Sequence, residues 1–123
     1  MEALTRSSRR ILVVDDNRDS AEALSALLEQ LGHRVETSFG ALDALARARV
    51  FSPEVIFLDI GLPEMDGYQL ARRLREMPET RHARILALTG YGEKDDRELA
   101  LRSGFDDHLV KPFDPQQLHR VIG

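Results

Sequence analysis

Five short apolar runs, each followed by a helix-type pattern, constrain this chain's fold more than any other feature. Ile11-Leu12-Val13-Val14, Val55-Ile56-Phe57-Leu58 and Ile85-Leu86-Ala87-Leu88 are continuously apolar, the mark of strands buried on both faces. Val35 to Ser38 and His108-Leu109-Val110-Lys111 are shorter strand candidates with a polar admixture. Behind the first run, Asp19 or Ser20 can cap a helix in which Leu24, Leu27, Leu28 and Leu31 recur at helical spacing and Gly32 supplies the stop. A second helix spans about Ala41 to Val50 with Leu42, Leu45 and Ala46 inward, and Ser52-Pro53 ends it. The third carries Tyr68, Leu70, Ala71 and Leu74 on one face and Arg72, Arg73 and Arg75 outward. The fourth runs from Glu93 to Ser103 with a thin stripe of Leu99, Ala100 and Leu101, stopped by Gly104. Pro112 breaks the last strand, and Asp114 caps a short helix holding Leu118, Val121 and Ile122.

Strict strand–helix alternation predicts an α/β fold, a five-stranded parallel sheet covered by helices on both faces. Right-handed crossovers make it doubly wound, a flavodoxin-like (βα)5 sandwich with strand order 2-1-3-4-5. The chain is one domain in length; we expect a flexible lead-in over residues 1–9, the domain over 10–123, and no output domain after it.

Composition removes several function classes. There is no Cys, hence no disulfide, thiolate nucleophile or Cys-held metal, which fits a reducing, cytoplasmic setting. No apolar run approaches the roughly 20 residues of a membrane span, so no membrane insertion is expected. The polar first residues, with Arg6, Arg9 and Arg10, form no secretory leader. A formal net charge of −4 argues against direct nucleic-acid binding.

The polar residues that end the strands carry the chemistry. The first strand ends in Asp15-Asp16, the third in Asp59, the fourth in Thr89 and the fifth in Lys111. In a doubly wound sheet these carboxyl ends flank the switch point where ligands bind. Three carboxylates against one ammonium leave about −2 local charge, which a single divalent cation would balance. An all-oxygen donor set, without His or Cys, favours Mg2+, with Mn2+ an acceptable substitute. A carboxylate can attack phosphorus, and Asp59, the acid most enclosed by apolar sequence, is the one approached by Thr89 and Lys111.

In this order and spacing, Ile11-Leu12-Val13-Val14-Asp15-Asp16-Asn17, Leu58-Asp59-Ile60-Gly61-Leu62-Pro63-Glu64-Met65-Asp66-Gly67, Leu88-Thr89-Gly90 and Val110-Lys111-Pro112-Phe113 form a specific set. The chain from Arg10 to Gly123 resembles the receiver domain of two-component response regulators. The resemblance implies that Asp59 is the phosphoacceptor and that Asp15, Asp16, Asp59 and the backbone carbonyl of Gly61 hold the metal. It implies that Thr89 is the switch hydroxyl and Lys111 the phosphate-binding lysine, with a cis Lys111-Pro112 bond. The partner implied is a histidine kinase or histidine phosphotransfer domain. The output is a change on the surface of the fourth and fifth strands and the helices after them, and a phosphorylation-dependent dimer is allowed. The chain itself is not expected to be an enzyme beyond its own aspartyl phosphorylation and dephosphorylation. The second switch position, often Tyr or Phe in the family, is His108, whose imidazole can titrate near neutral pH. Thr89-Gly90-Tyr91-Gly92 and Gly104-Phe105-Asp106 resemble receivers fused to hybrid sensor histidine kinases.

Each residue also has a plain reading: adjacent acids after a strand are commonly a solvated loop, a strand-end Thr a β-former, a strand-end Lys a surface charge, and an edge-strand His a packing residue. Their convergence from four strands favours the functional reading. A metal-dependent phosphatase with an aspartyl nucleophile is the enzyme alternative, but it wants an acid two residues after the nucleophile, where Gly61 stands. A dinucleotide site would need a Gly-rich first turn in place of Asp15-Asp16-Asn17. A structural receiver-like module is the third reading. His33, His82 and His119 lie outside the cluster and receive no role.

Overall fold

The computed structural model describes residues 8–90, 97–111 and 114–122. Five strands alternate with five helices: β1 (Arg10–Val14), α1 (Arg18–Gln30), β2 (Arg34–Ser38), α2 (Ala41–Phe51), β3 (Val55–Asp59), α3 (Gly67–Glu76), β4 (Arg84–Thr89), α4 (Arg97–Ser103), β5 (Asp107–Val110) and α5 (Pro115–Ile122). All strand pairs are parallel and the order is β2-β1-β3-β4-β5, as the alternation requires. The expected cis Lys111-Pro112 bond, Tyr91, Gly92 and the start of the fourth helix at Glu93 lie outside the described residues.

Strand periodicity divides the core in two. Leu12, Val14, Ile56, Leu58, Ile85 and Ala87 face the side packed by α2, α3 and Phe105. Ile11, Val13, Val55, Phe57, Leu86, Leu88 and Leu109 face the side packed by α1 and α5. Both sides of the central strands are thus dry, which is why those runs are continuously apolar. The same alternation, carried one residue further, sends Asp15, Asp59 and Lys111 to the α1/α5 side of the carboxyl edge. Thr89 and His108 fall on the other side.

Helix faces required corrections. The cap of α1 is Asn17, whose side chain accepts from Ser20 N, two to three residues earlier than Asp19 or Ser20. Asn17 is placed there because Asp15 Oδ1 accepts from its backbone N at 3.0 Å, closing the loop into an Asx turn. In α2 the buried face is Ala41, Ala44 and Ala48, whereas Leu42 and Ala46 point outward and Leu45 is only half-buried. Small residues let this helix lie close to the sheet, so side-chain size misleads about its orientation. Leu101 of α4 is also exposed, and Arg75 turns inward to pair with Asp106. Asp114 does cap α5, in a reciprocal box with Gln117: each side chain accepts from the other's backbone N.

The segment between β3 and α3 is held at both ends. Gly67 lies against the strand exit: a Cβ there would meet Ile60 Cα at 2.4 Å, and Gly67 N donates to Ile60 O at 3.0 Å. In the middle of the segment, Glu64 reaches across to α2, which starts at Gly40 without a side-chain cap of its own. Glu64 Oε1 accepts from Ala41 N at 3.0 Å and places its negative charge at the helix N-terminus. Glu64→Ala is expected to lower stability by about 1 kcal/mol, the usual worth of a cap. Hydrogen exchange should speed up first at the amides of Ala41 to Ala44; unchanged exchange there would contradict the capping role.

Candidate functional site

Three loops and one strand end meet at the carboxyl edge of the sheet. Asp15 follows β1 and is buried, at 1% exposure. A buried carboxylate needs partners, and Asp15 has them: Lys111 Nζ donates to Oδ2 at 2.7 Å and Asn17 N to Oδ1 at 3.0 Å. Asp16, next in sequence, points to solvent. Asp59 ends β3 half-buried, and its Oδ1 accepts from Gly61 N at 2.9 Å. Lys111 enters just past β5, where its backbone N donates to Thr89 O at 2.8 Å.

Asp15, Asp16 and Asp59 each offer a carboxylate oxygen, and these atoms all lie within 4.8 Å of one another. Hard anionic oxygens at that spacing fit a hard divalent cation, the ligand set expected for Mg2+. The electrostatics agree. Burial pushes the Asp59 carboxyl up to about 6, reinforced by the Asp15 carboxyl beside it, while the Gly61 N–H and the Lys111 ammonium act the other way. One cation side chain does not neutralise the cluster.

A pH prediction follows for the metal-free protein. The folded-state value of Asp59, about 6, lies above its unfolded value near 4, so the folded chain holds this proton more tightly. The resulting stabilisation is complete below the unfolded value and is lost as pH rises through about 6. With chelator present, Asp59→Asn should therefore be more stable than the parent at pH 8. Because Asp59 is only half-buried and keeps part of its hydration, the gain is on the order of 1 kcal/mol. Denaturant midpoints at pH 5 and pH 8 check this: at pH 5, midway between the two values, the gap should shrink to about half its size at pH 8, and a gap independent of pH would contradict the assigned strain.

Thr89 is 3% exposed, and its hydroxyl donates to Leu109 O at 3.3 Å. It is thus in place at the end of β4 but engaged with β5. Beside it is a cavity of about 180 Å3, lined among others by Ile60, Ala87, Ala100, Phe105 and His108. His108 is half-buried, with Nδ1 3.9 Å from Asp107 Oδ1. The structure therefore gathers Asp15, Asp16, Asp59 and Lys111 in one cluster, and puts Thr89 and His108 together at an adjacent cavity. Gly61 contributes its N–H to Asp59; Pro112 lies outside the described residues. Sequence reading missed Glu64 and Asn17 as organisers of the loops around the site. The spacing of Asn17 to Ser20 was a usable cap signal, but a contact like that of Glu64, 23 residues away, leaves none.

Comparison with known proteins agrees with this geometry. The model of the response regulator receiver domain matches residues 11–123. An uncharacterized 14.6 kDa protein of Leptolyngbya boryana, from the region 3' of sodA1, is 41% identical over 118 residues, covering 96% of this chain and 90% of that protein. Response regulator PleD of Caulobacter vibrioides is 39% identical over 111 residues, covering 90% of this chain but 24% of PleD. The chain thus spans nearly all of one relative and a small part of another. Among solved structures, the receiver domain of sensor histidine kinase PA1611 from Pseudomonas aeruginosa superposes with a TM-score of 0.83 at 34% identity, covering 94% of this chain and 95% of that one. That structure has a magnesium ion coordinated in its active site cleft. With the sheet order, the acidic cluster and a match over residues 11–123, the chain belongs to the response regulator receiver domain family of two-component signalling.

Proposed function

We propose that this receiver is a phosphorylation-driven switch in which Asp59 takes a phosphoryl group from a phosphohistidine of a kinase or phosphotransfer domain. The observation that carries the proposal is the placement of Asp59: a half-buried carboxylate, raised to about 6, within 4.8 Å of Asp15 and Asp16 ligand oxygens. At neutral pH it is still ionised and poorly solvated, which suits a nucleophile. An Asp59 carboxylate oxygen bonds to phosphorus as the phosphorus–nitrogen bond of the donor breaks, and the imidazole leaves with the bonding electron pair. Asp15, Asp16 and Asp59, with the Gly61 carbonyl, would hold Mg2+, which when bound supplies positive charge to the transferring phosphoryl oxygens. Lys111, held over the site by its ion pair with Asp15, is placed to give up that contact and bind a phosphoryl oxygen.

The outward step uses the other side of the sheet edge. The Thr89 hydroxyl exchanges Leu109 O for a phosphoryl oxygen, and the vacated volume joins the cavity in front of His108. The imidazole moving into that cavity would alter the surface of β4, α4 and β5.

Incubation with a small acyl phosphate, with and without Mg2+, tests the proposal by intact mass. One phosphoryl group should be gained only with metal, and then lost on standing. Sustained turnover of phosphate esters would mean a phosphatase instead, and no metal-dependent gain would contradict the switch.

A further inference from the structure

The acidic cluster is built from two separate loops. Asp15 and Asp16 follow β1, while Asp59 and Gly61 stand at the exit of β3. An ion of the Mg2+ type demands near-ideal ligand geometry, so the spacing of these two loops decides how well it is held. The carboxylates cannot set that spacing themselves, because like charges push one another apart.

Polar contacts behind the cluster supply the spacer, and they run through the start of α2. Asp15 N donates to Ser38 O at 3.1 Å, which ties the β1 exit to the end of β2. Ser38 is fully buried, and its hydroxyl donates to Asp43 Oδ2 at 2.8 Å with Gly40 O 3.0 Å away, which holds the first turn of α2. That turn then meets the other loop, where Ala41 N donates to Glu64 Oε1 at 3.0 Å. Gly40 makes room for the carboxylate: a Cβ there would meet Glu64 Oε1 at 2.6 Å. Between Glu64 and Asp59 the chain has little slack. Leu62 is buried in the core, Pro63 fixes its own φ, and Gly61 N is tied back to Asp59 Oδ1 at 2.9 Å. A release at Glu64 is therefore felt at Gly61.

We propose that Glu64 is a positioning residue for the metal: by pinning the loop between β3 and α3 to α2, it fixes Asp59 and Gly61 relative to Asp15 and Asp16. This rests on the reading of Asp59 as a Mg2+-dependent phosphoacceptor, and adds to it a residue that touches neither ion nor phosphate. Among the described residues Glu64 is not one of the acids whose oxygens converge, and its charge faces the helix N-terminus instead. A cap with no further role would stabilise α2 and leave metal affinity alone.

Mg2+ titrations followed by amide NMR, with no phosphodonor present, test the proposal. Glu64→Ala should weaken Mg2+ binding roughly 3- to 10-fold, near the low end for groups that orient metal ligands. Glu64→Gln should restore most of the affinity, since its amide oxygen can accept from Ala41 N. Glu54→Ala controls for plain loss of stability: Glu54 Oε1 accepts from a backbone N in the same way, from Arg10 at 3.0 Å, at the opposite edge of the sheet. That variant should keep the parental affinity. With chelator present, the Gly61 amide resonance should already be displaced in Glu64→Ala and unmoved in Glu54→Ala. Phosphorylation of Glu64→Ala by an acyl phosphate should be slow at limiting Mg2+ and recover at saturating Mg2+. Parental Mg2+ affinity in Glu64→Ala, or an equal loss in Glu54→Ala, would overturn the positioning role. A parent chain that binds no Mg2+ would overturn the metal reading beneath it, a result distinct from either.

Discussion

Replacing Arg75 with Ala is expected to lower the unfolding free energy by about 2–4 kcal/mol, a large share of the 5–15 kcal/mol typical of a domain. Arg75 belongs to the exposed-looking Arg72-Arg73-Leu74-Arg75 stretch of α3, yet its guanidinium is a structural hub. Its Nε and Nη2 donate to Gly104 O at 2.9 and 2.6 Å, and Nη1 donates to Ala83 O at 2.5 Å and Arg81 O at 3.0 Å. Nη2 also pairs with Asp106 at 2.7 Å, and the same Asp106 carboxylate accepts from Ile85 N at 2.9 Å. One side chain thus joins α3, the entry to β4 and the turn from α4 into β5. Gly104 is part of the fit: it has φ +103°, and a Cβ there would meet Arg75 Cγ at 2.8 Å. Removing the guanidinium strands three carbonyls and leaves Asp106 without its counter-charge. Arg75→Lys should recover little, because an ammonium cannot span the same fork. Melting temperature should fall by roughly 10 °C for the Ala variant. A shift below a third of that would show the network to be solvent-replaceable.

Asp59→Asn is expected to abolish phosphoryl gain from any donor, since an amide neither attacks phosphorus nor forms an acyl phosphate. Asp59 stands apart from its neighbours because burial and the Asp15 charge strain its ionised form, and it alone in the cluster is half-buried at the end of a strand. Asp15 is committed to Lys111 and Asn17, and Asp16 is solvated. Lys111→Ala differs in kind. It should keep the nucleophile but remove the ammonium from a buried acid, so chemistry slows and the metal-free protein weakens, while added Mg2+ restores much of the stability. Phosphate transfer to Asp59→Asn at the parental extent would place the nucleophile elsewhere.

The sheet was legible because β1, β3 and β4 are buried on both faces, and continuous apolar runs admit few other readings. The site was legible for a related reason: a polar residue directly after such a run has nowhere to go but the carboxyl edge. Both signals lie within one strand. What escaped depends on partners distant in sequence. Arg75 looks like Arg72 and Arg73 until the turn at Gly104, 29 residues away, folds onto it. Glu64 is an ordinary loop acid until α2 arrives without a cap. The orientation of α2 was misjudged because leucine outweighs alanine in any hydrophobic pattern, while close helix–sheet packing selects for small size. His33 received no role from sequence, yet it is buried, and Arg9 N donates to its Nδ1 at 3.1 Å. Burial, with His119 and Arg9 nearby, holds it neutral, so it is a fastener between β1 and β2 at the end of the sheet opposite the site.

The central claim is that one carboxylate, Asp59, is the phosphorylated atom group and that the surrounding acids only support it. Borohydride trapping reads this directly: after exposure to an acyl phosphate and Mg2+, reduction converts an aspartyl phosphate to homoserine, and peptide mass mapping locates it. Homoserine is expected at position 59 alone, and absent when chelator replaces Mg2+. Conversion at Asp15 or Asp16, or a metal-independent signal at position 59, would contradict it.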